Sequence, residues 1–505
     1  MATVSRNSRW VIWISVATGL ILNVDQSSVI LVLGQISDQF GTGLSDSQWI
    51  LSSYLLPLAS LVVVGGVICD RYSTIKVLFV GLIIFLIGSI LSSVSQELMY
   101  LLSARILCGV GAALAFPASL ALIRKCLSED LAKKAFGYWF AGALGGSAAG
   151  PLLNGFLVDL SNWRVVFLVS SVISILILVG LMISNLSIAE FETVTKISFF
   201  SSLVTTLALT GIVFGLIRAG NDGWTSGSSF FPILVGLLIF VIKVIFDQYL
   251  TQQNKSSSGK IGAAWPFIYL MLAGILPVVG VVVLTVLYLG SVRDLSVFQT
   301  GLAITPFGVS AALLSPLVPR LVSRYGFGRL LIIAVVFQFF GLISLTRLEA
   351  NSSFFVIAIG LFGLGISMAI FPSLTLNEAL TYTPEANSGY ISGIHNGAIQ
   401  VGQLISIGLI GSLATININN DLRTTFSSGS IYIPESGYKA LTSGEEWLPE
   451  DIPFNDIERF RELADASFTS GLAKTTVFTL VILIAVVVVS IVMKKVLNKN
   501  LINRI

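Results

Sequence analysis

The sequence has little charge and few of the side chains that enzymes use. Of its 505 residues only 11% are Asp, Glu, Lys or Arg, where a soluble domain carries about 25%. There is a single histidine, His395, and there are three cysteines, Cys69, Cys108 and Cys126, all in or beside the early apolar segments. That distribution argues against a disulfide framework or a metal site. No nucleophile–base set, metal cluster or phosphate-cradling loop is visible, so neither an enzyme nor a bound cofactor is expected. The net charge of +3 is not gathered into a basic cluster interleaved with aromatics, which argues against nucleic acid as a partner.

Apolar length is what the chain has in abundance. It is 55% hydrophobic, and runs of about 20 apolar residues recur along it, as membrane-spanning helices require. Fourteen such segments are expected, the first at 10–36 and the last two at 387–415 and 470–493. The first run follows Arg6 and Arg9 like a signal peptide. It is too long for one and has no small-residue cleavage site, so it reads as a retained span. Connections are short except 416–469, which is polar and acidic and holds Pro434, Pro449 and Pro453. An even number of spans puts both termini on one face. The loops on that face hold eighteen Lys and Arg; the short loops opposite hold four, Arg164, Arg218, Arg293 and Arg347. The positive-inside rule then puts both termini in the cytoplasm and 416–469 outside.

Two stretches echo each other. "GVGAALAFPASLAL" at 109–122 answers "GLGISMAIFPSLTL" at 363–376, with Phe116-Pro117 and Phe371-Pro372 255 residues apart. Gly137-Tyr138 and Gly389-Tyr390 repeat at 252, and Arg71-Tyr72 and Arg324-Tyr325 at 253. Three matches in one order at nearly one offset point to duplication rather than to the general likeness of apolar helices. The expected organisation is a six-helix half at 1–186, two inserted spans with a linker at 187–262, and a second six-helix half at 263–505 that includes 416–469. Paired pseudo-symmetric halves are a common transporter plan, with the substrate site between them.

Two motifs carry more. "GGSAAGPLLNG" in the fifth segment supplies Gly146, Gly150, Pro151 and Gly155. Glycines four apart share a helix face and admit a close neighbour, while Pro151 removes a backbone hydrogen bond and bends the helix. The result is a tight, bent seam, or, on the plainer reading, an ordinary packing face. "GGVICDRYSTIK" holds Gly66, Asp70 and Arg71 at the end of the second segment. The chain thereby resembles the major facilitator superfamily, and specifically its fourteen-span drug:proton antiporters of the QacA/EmrB type. The first motif is similar to G-x-x-x-G-P-x-x-G-G, with Asn154 in place of a glycine. The second is similar to the cytoplasmic gate G-x-L-x-D-R-x-G-R-K, with Ser73 replacing the turn glycine. The resemblance implies the all-α major facilitator fold, two six-helix halves plus two extra central helices, in a prokaryotic cell membrane. It also implies that Asp70 and Arg71 hold the cytoplasmic side shut, that the fifth-span motif marks exporters, and that the protein works as a monomer.

Asp25 is a carboxylate inside the first apolar run, fifteen residues from Trp10 and eleven from Ile36. At 1.5 Å per residue that is close to mid-bilayer, where a charge costs about 2.5–3.5 kcal/mol on insertion scales. Such a group faces a wet cavity or a partner. Arg105, an intramembrane cation in "ARILCGVGAA", is the expected partner, and the pair is the expected proton-coupling site. A permanent salt bridge fastening two spans is the alternative. Asn23, Gln26, Tyr138, Trp139 and His395 are candidates for lining a substrate cavity, although a lone helix histidine more often makes a fixed hydrogen bond. The expected function is proton-driven export of small amphipathic compounds, with protons and the lipid bilayer as the other partners. Proton-coupled nutrient uptake and a non-transporting membrane sensor are the alternatives.

Overall fold

A computed structural model describes residues 6–184, 186, 199–253, 265–349, 351–381, 388–427, 433–443, 447–448 and 456–502. Among these the regular structure is helical. A first group comprises α1 (Arg6–Leu31), α2 (Leu33–Phe40), α3 (Leu44–Arg71), α4 (Thr74–Ser93), α5 (Leu98–Cys126), α6 (Glu129–Leu160) and α7 (Val165–Ile183). A hairpin of α8 (Phe199–Asp222) and α9 (Gly227–Gln253) follows. The last group comprises α10 (Trp265–Ile275), α11 (Val279–Ser291), α12 (Val297–Leu314), α13 (Val318–Tyr325), α14 (Phe327–Leu345), α15 (Phe354–Thr381), α16 (Ser388–Ser427), α17 (Glu435–Ser443) and α18 (Ile457–Ile502).

Twelve stretches among the described residues are long and apolar enough to cross a membrane, against the fourteen expected. α6 is not among them, and the described side chains of α9 contribute the apolar run Gly227–Lys243. The segment 416–469 departs further from expectation. Instead of a long loop, α16 runs on to Ser427 and α18 begins at Ile457. Leu422, Phe426, Phe460 and Phe468 bury an apolar stripe between the two extensions, with the Phe426 and Phe460 rings 5.0 Å apart. A polar average concealed that stripe.

The two groups meet along two seams, α6 against α12 and α3 against α16, and α8 lies beside the second. Within the first group the α4–α5 contact is among the tightest. A Cβ on Gly111 would stand 2.4 Å from the backbone nitrogen of Phe85. The end of the bundle where α6 finishes and α12 starts is called distal below. There Arg164 binds the first group together: it donates to Gln39 Oε1 at 3.0 Å and to the Ser95 carbonyl at 2.8 Å, and lies over Trp163 at 4.4 Å. Elsewhere the outer faces of α4, α7 and α14 expose Ile87, Leu176 and Phe340, as lipid-facing helices do.

The expected ninth span is broken rather than continuous. Pro277 interrupts it between α10 and α11, because proline lacks an N–H and clashes with the preceding turn. Neighbours take up the freed backbone groups. Ser406 Oγ donates to the Leu276 carbonyl at 2.6 Å and accepts from the Gly280 N–H at 2.8 Å, so one hydroxyl bridges a lost helical bond. Gln338 donates to the Gly274 carbonyl at 3.0 Å. In lipid such groups have no water to turn to.

The α4–α5 packing is tested by Gly111→Leu. Its side chain would meet backbone, which cannot move aside, so a loss of roughly 1–3 kcal/mol is expected. A melting temperature of detergent-purified protein equal to wild type would contradict the contact.

Candidate functional site

Asp25 and Arg105 come together inside the first group. Arg105 Nη1 donates to Asp25 Oδ2 at 2.7 Å, with the two side chains 1% and 0% exposed. Ser170 of α7 donates to the other oxygen, Oδ1, at 3.1 Å. The guanidinium lies 4.4 Å from the ring centroid of Tyr54 and 5.6 Å from that of Phe167. Four helices, α1, α3, α5 and α7, therefore converge on one ion pair. Its Coulomb attraction and the faces of two rings offset the cost of taking two charges out of water. The compensation is incomplete: Arg105 Nε has no hydrogen-bond partner among the described residues.

The pair sits nearer the distal end than the limits 10–36 imply. α1 stops at Leu31 and the chain turns at Val32 into α2. Asp25 is six residues from the end of α1 and Arg105 seven from the start of α5, roughly 10 Å of helix in each case. Sequence reasoning missed Ser170 and Tyr54. The signal for Ser170 was present as Ser170, Ser171 and Ser174 in an otherwise apolar segment.

The fifth-segment motif lies in the seams α6 makes. A Cβ on Gly146 would stand 2.6 Å from the Leu20 carbonyl oxygen, and one on Gly150 2.8 Å from Ser27 Oγ. Gly155 faces the other group, 2.9 Å by the same measure from Phe298 Cα. Pro151 is inside α6. Asn154, the departure from the glycine pattern, is buried and donates to Ser28 Oγ at 2.7 Å, fastening α6 to α1. Around the loop after α3, the side chains of Asp70 and Arg71 lie outside the described residues, and a Cβ added to Gly66 would meet Pro117 only at an ordinary 4.0 Å. Lys125 holds this turn from α5, donating to the Cys69 carbonyl at 2.7 Å and to Thr74 Oγ1 at 3.0 Å.

The candidate lining residues divide. Gln26, partly accessible, reaches across to the other group, where its Nε2 donates to Gln403 Oε1 at 2.7 Å. Asn23 turns its amide back onto the Gly19 carbonyl at 2.8 Å. Trp139 is 1% exposed and committed to packing. Its indole donates to Ser119 Oγ at 3.0 Å and its ring meets Phe116 edge-on at 5.0 Å. Tyr138 is exposed. His395 is buried with Nε2 2.8 Å from Thr375 Oγ1. That hydroxyl also lies within hydrogen-bond reach of the Phe371 carbonyl at 2.7 Å, and Nδ1 is without a partner among the described residues.

The signature of the Major Facilitator Superfamily matches residues 14–407. The chain belongs to that superfamily. Among its relatives, the multidrug resistance protein Stp of Mycobacterium tuberculosis is 28% identical over 411 residues, 79% of this chain and 75% of Stp. The multidrug efflux pump LfrA of Mycolicibacterium smegmatis is 24% identical, covering 92% of each chain. The tetracenomycin C resistance and export protein of Streptomyces glaucescens is 24% identical over 92% of this chain and 88% of its own. Among solved structures, a bacterial homologue of the lysosomal transporter Spinster superposes with a TM-score of 0.65 at 13% identity over 96% of each chain. That likeness speaks for the fold. The protein is thus a multi-span membrane transporter of the superfamily.

If Asp25 and Arg105 depend on each other, Asp25→Asn alone leaves a buried, unpaired guanidinium and costs about 3–5 kcal/mol. Asp25→Asn with Arg105→Met recovers most of that stability. Melting temperatures of the four proteins form the cycle, and simply additive losses would show the two charges to be independent.

Proposed function

We propose that the protein is a proton-coupled efflux antiporter that exports small amphipathic compounds across a bacterial cell membrane by alternating access. The observation that carries this is a buried carboxylate paired with a buried guanidinium in a chain whose relatives include a multidrug efflux pump and a tetracenomycin C export protein. Intramembrane ionisable groups are functional by default. The tight α6–α12 seam around Gly155 and Pro151 supports alternating access, because it provides a surface along which the two groups can close and part.

The chemistry proceeds as follows. Ionised Asp25 accepts from Arg105 and Ser170. A proton from the distal face neutralises it, and the attraction to Arg105 falls. Ser170 can answer the change by turning its hydroxyl from donor to acceptor for the new carboxylic O–H. The slackened pair lets α1 and α5 move, the groups rock, and the proton leaves at the opposite face while substrate loads there. The proton gradient supplies the energy, and no cofactor enters. At 100 mV each net charge moved contributes about 2.3 kcal/mol, which sustains roughly a fifty-fold substrate gradient.

In this reading the architecture is fourteen-spanning, with α6 and α9 crossing alongside the other twelve. α8 and α9 form an inserted pair between two halves, both termini are cytoplasmic, and the distal end faces outward. The basic residues concentrated in the loops on the terminal side support that orientation. Gln26 and Gln403, one from each half, are the polar groups best placed to meet a substrate.

Energised inverted vesicles provide the test. Wild type should load ethidium or a neutral antibiotic on energisation, and Asp25→Asn at equal expression should lose at least nine-tenths of the rate. Loading only in right-side-out vesicles would instead establish uptake by symport. A wild type that moves neither compound nor releases a proton on adding them would defeat the transport reading.

A further inference from the structure

We propose that Asp159 is the distal latch of the transport cycle: a positioning residue on α6 that caps α12 from the opposite group and must let go whenever the distal seam opens. The proposal rests on the alternating-access reading above. Its geometry is direct. Asp159 Oδ1 accepts from the Val297 N–H at 3.0 Å and Oδ2 from the Phe298 N–H at 3.2 Å, across 138 and 139 residues of chain.

The start of α12 shows why those two hydrogens are available. A helix leaves its first N–H groups without internal partners. α12 meets part of that need locally with a capping box: Ser296 Oγ accepts from Gln299 N at 3.3 Å, and the Gln299 side chain accepts from Ser296 N at 3.1 Å. This arrangement leaves the amides of Val297 and Phe298 unserved. They are the two that Asp159 takes. Local and cross-group caps divide the donors between them with no duplication.

The placement of the carboxylate argues the same way. Asp159 stands in the last turn of α6, at the negative end of its own helix dipole, where an acid is disfavoured. At the positive end of α12 it is favoured. The residue is at odds with its own helix and suited to its neighbour's. The surrounding seam is built for close approach: Gly155 and Gly301 stand where a side chain would strike Phe298 Cα at 2.9 Å and the Pro151 carbonyl at 2.5 Å. The rings of Phe156 and Phe298 meet edge-on at 6.1 Å beside the latch. Asp159 itself is exposed at the rim. When the seam opens, water can replace it on both amides, so release is reversible rather than prohibitive.

The test uses a full-length background in which Cys69, Cys108 and Cys126 are replaced by Ala or Ser. Thr300→Cys reports on the distal start of α12. Thr300 is 2% exposed, one turn below Val297, and its hydroxyl has no partner, so the exchange removes no hydrogen bond. Val62→Cys reports on the opposite end, nine residues before the end of α3 and beside Gly397 of α16, and is also buried. Both are labelled with a membrane-impermeant maleimide in right-side-out and inverted vesicles. Asp159→Asn should raise labelling at position 300 roughly two- to fivefold and lower it at position 62, and Asp159→Glu should restore much of the protection. Unchanged labelling at position 300 would overturn the latch. So would a parallel rise at both positions, which marks general loosening rather than a shift between two closed ends. Labelling needs no substrate. A reciprocal shift in a protein that exports nothing would therefore keep the latch and discard the efflux reading.

Discussion

A buried ion pair fixes how the first helical group is put together. Asp25 and Arg105 are worth having together and costly to have apart, so α1 and α5 cannot drift independently. Ser170 and Tyr54 extend the constraint to α7 and α3. The distal loops are tied by Arg164 to Gln39 and Ser95. With its members held at both the pair and the loops, this group can move as one body. A change in the charge of Asp25 is then felt by every helix that touches it.

The seams between the groups use a different material. Where the pair relies on charge, α6 and α12 rely on the absence of side chains and on backbone groups. The second seam, α3 with α16, has Gln26 and Gln403 nearby, a neutral bridge from one group to the other. Gln26 follows Asp25 directly, yet on a helix the two side chains point about 100° apart. One faces into its own group and the other across the gap. A small rotation of α1 would therefore move the charged site and the bridging amide together, which on the proposed reading is a short physical route from proton to substrate.

Much of this was readable beforehand. The periodic apolar runs announced membrane helices, and the cost of a lone charge in lipid paired Asp25 with Arg105 before any distance was known. Small residues spaced by four marked the α6 seams. The misses share a cause. Ser170, Gln403 and Asp159 act through partners far away in sequence; Ser170 at least stands in a cluster of serines within an apolar segment, whereas nothing local distinguishes Gln403 and Asp159 from ordinary polar residues. Trp139 was a candidate for the cavity on its aromatic character alone, whereas its indole N–H found Ser119 in the packed interior. The helical ends of 416–469 were hidden because exposed polar faces outnumber the narrow apolar stripe that joins them. The break at Pro277 was concealed by the unbroken hydropathy around it.

That break gives the two groups unlike characters. By the offset of the internal echo, Asp25 and the stretch around Pro277 occupy comparable places in their groups. One place holds a formal charge. The other holds a bend whose loose ends rest on the neutral side chains Ser406 and Gln338. Flexing at the bend displaces no ion, so it is electrically silent. On the proposed reading, protonation of Asp25 gives the membrane voltage a net charge to act on in one arm of the molecule, while the other bends without moving one.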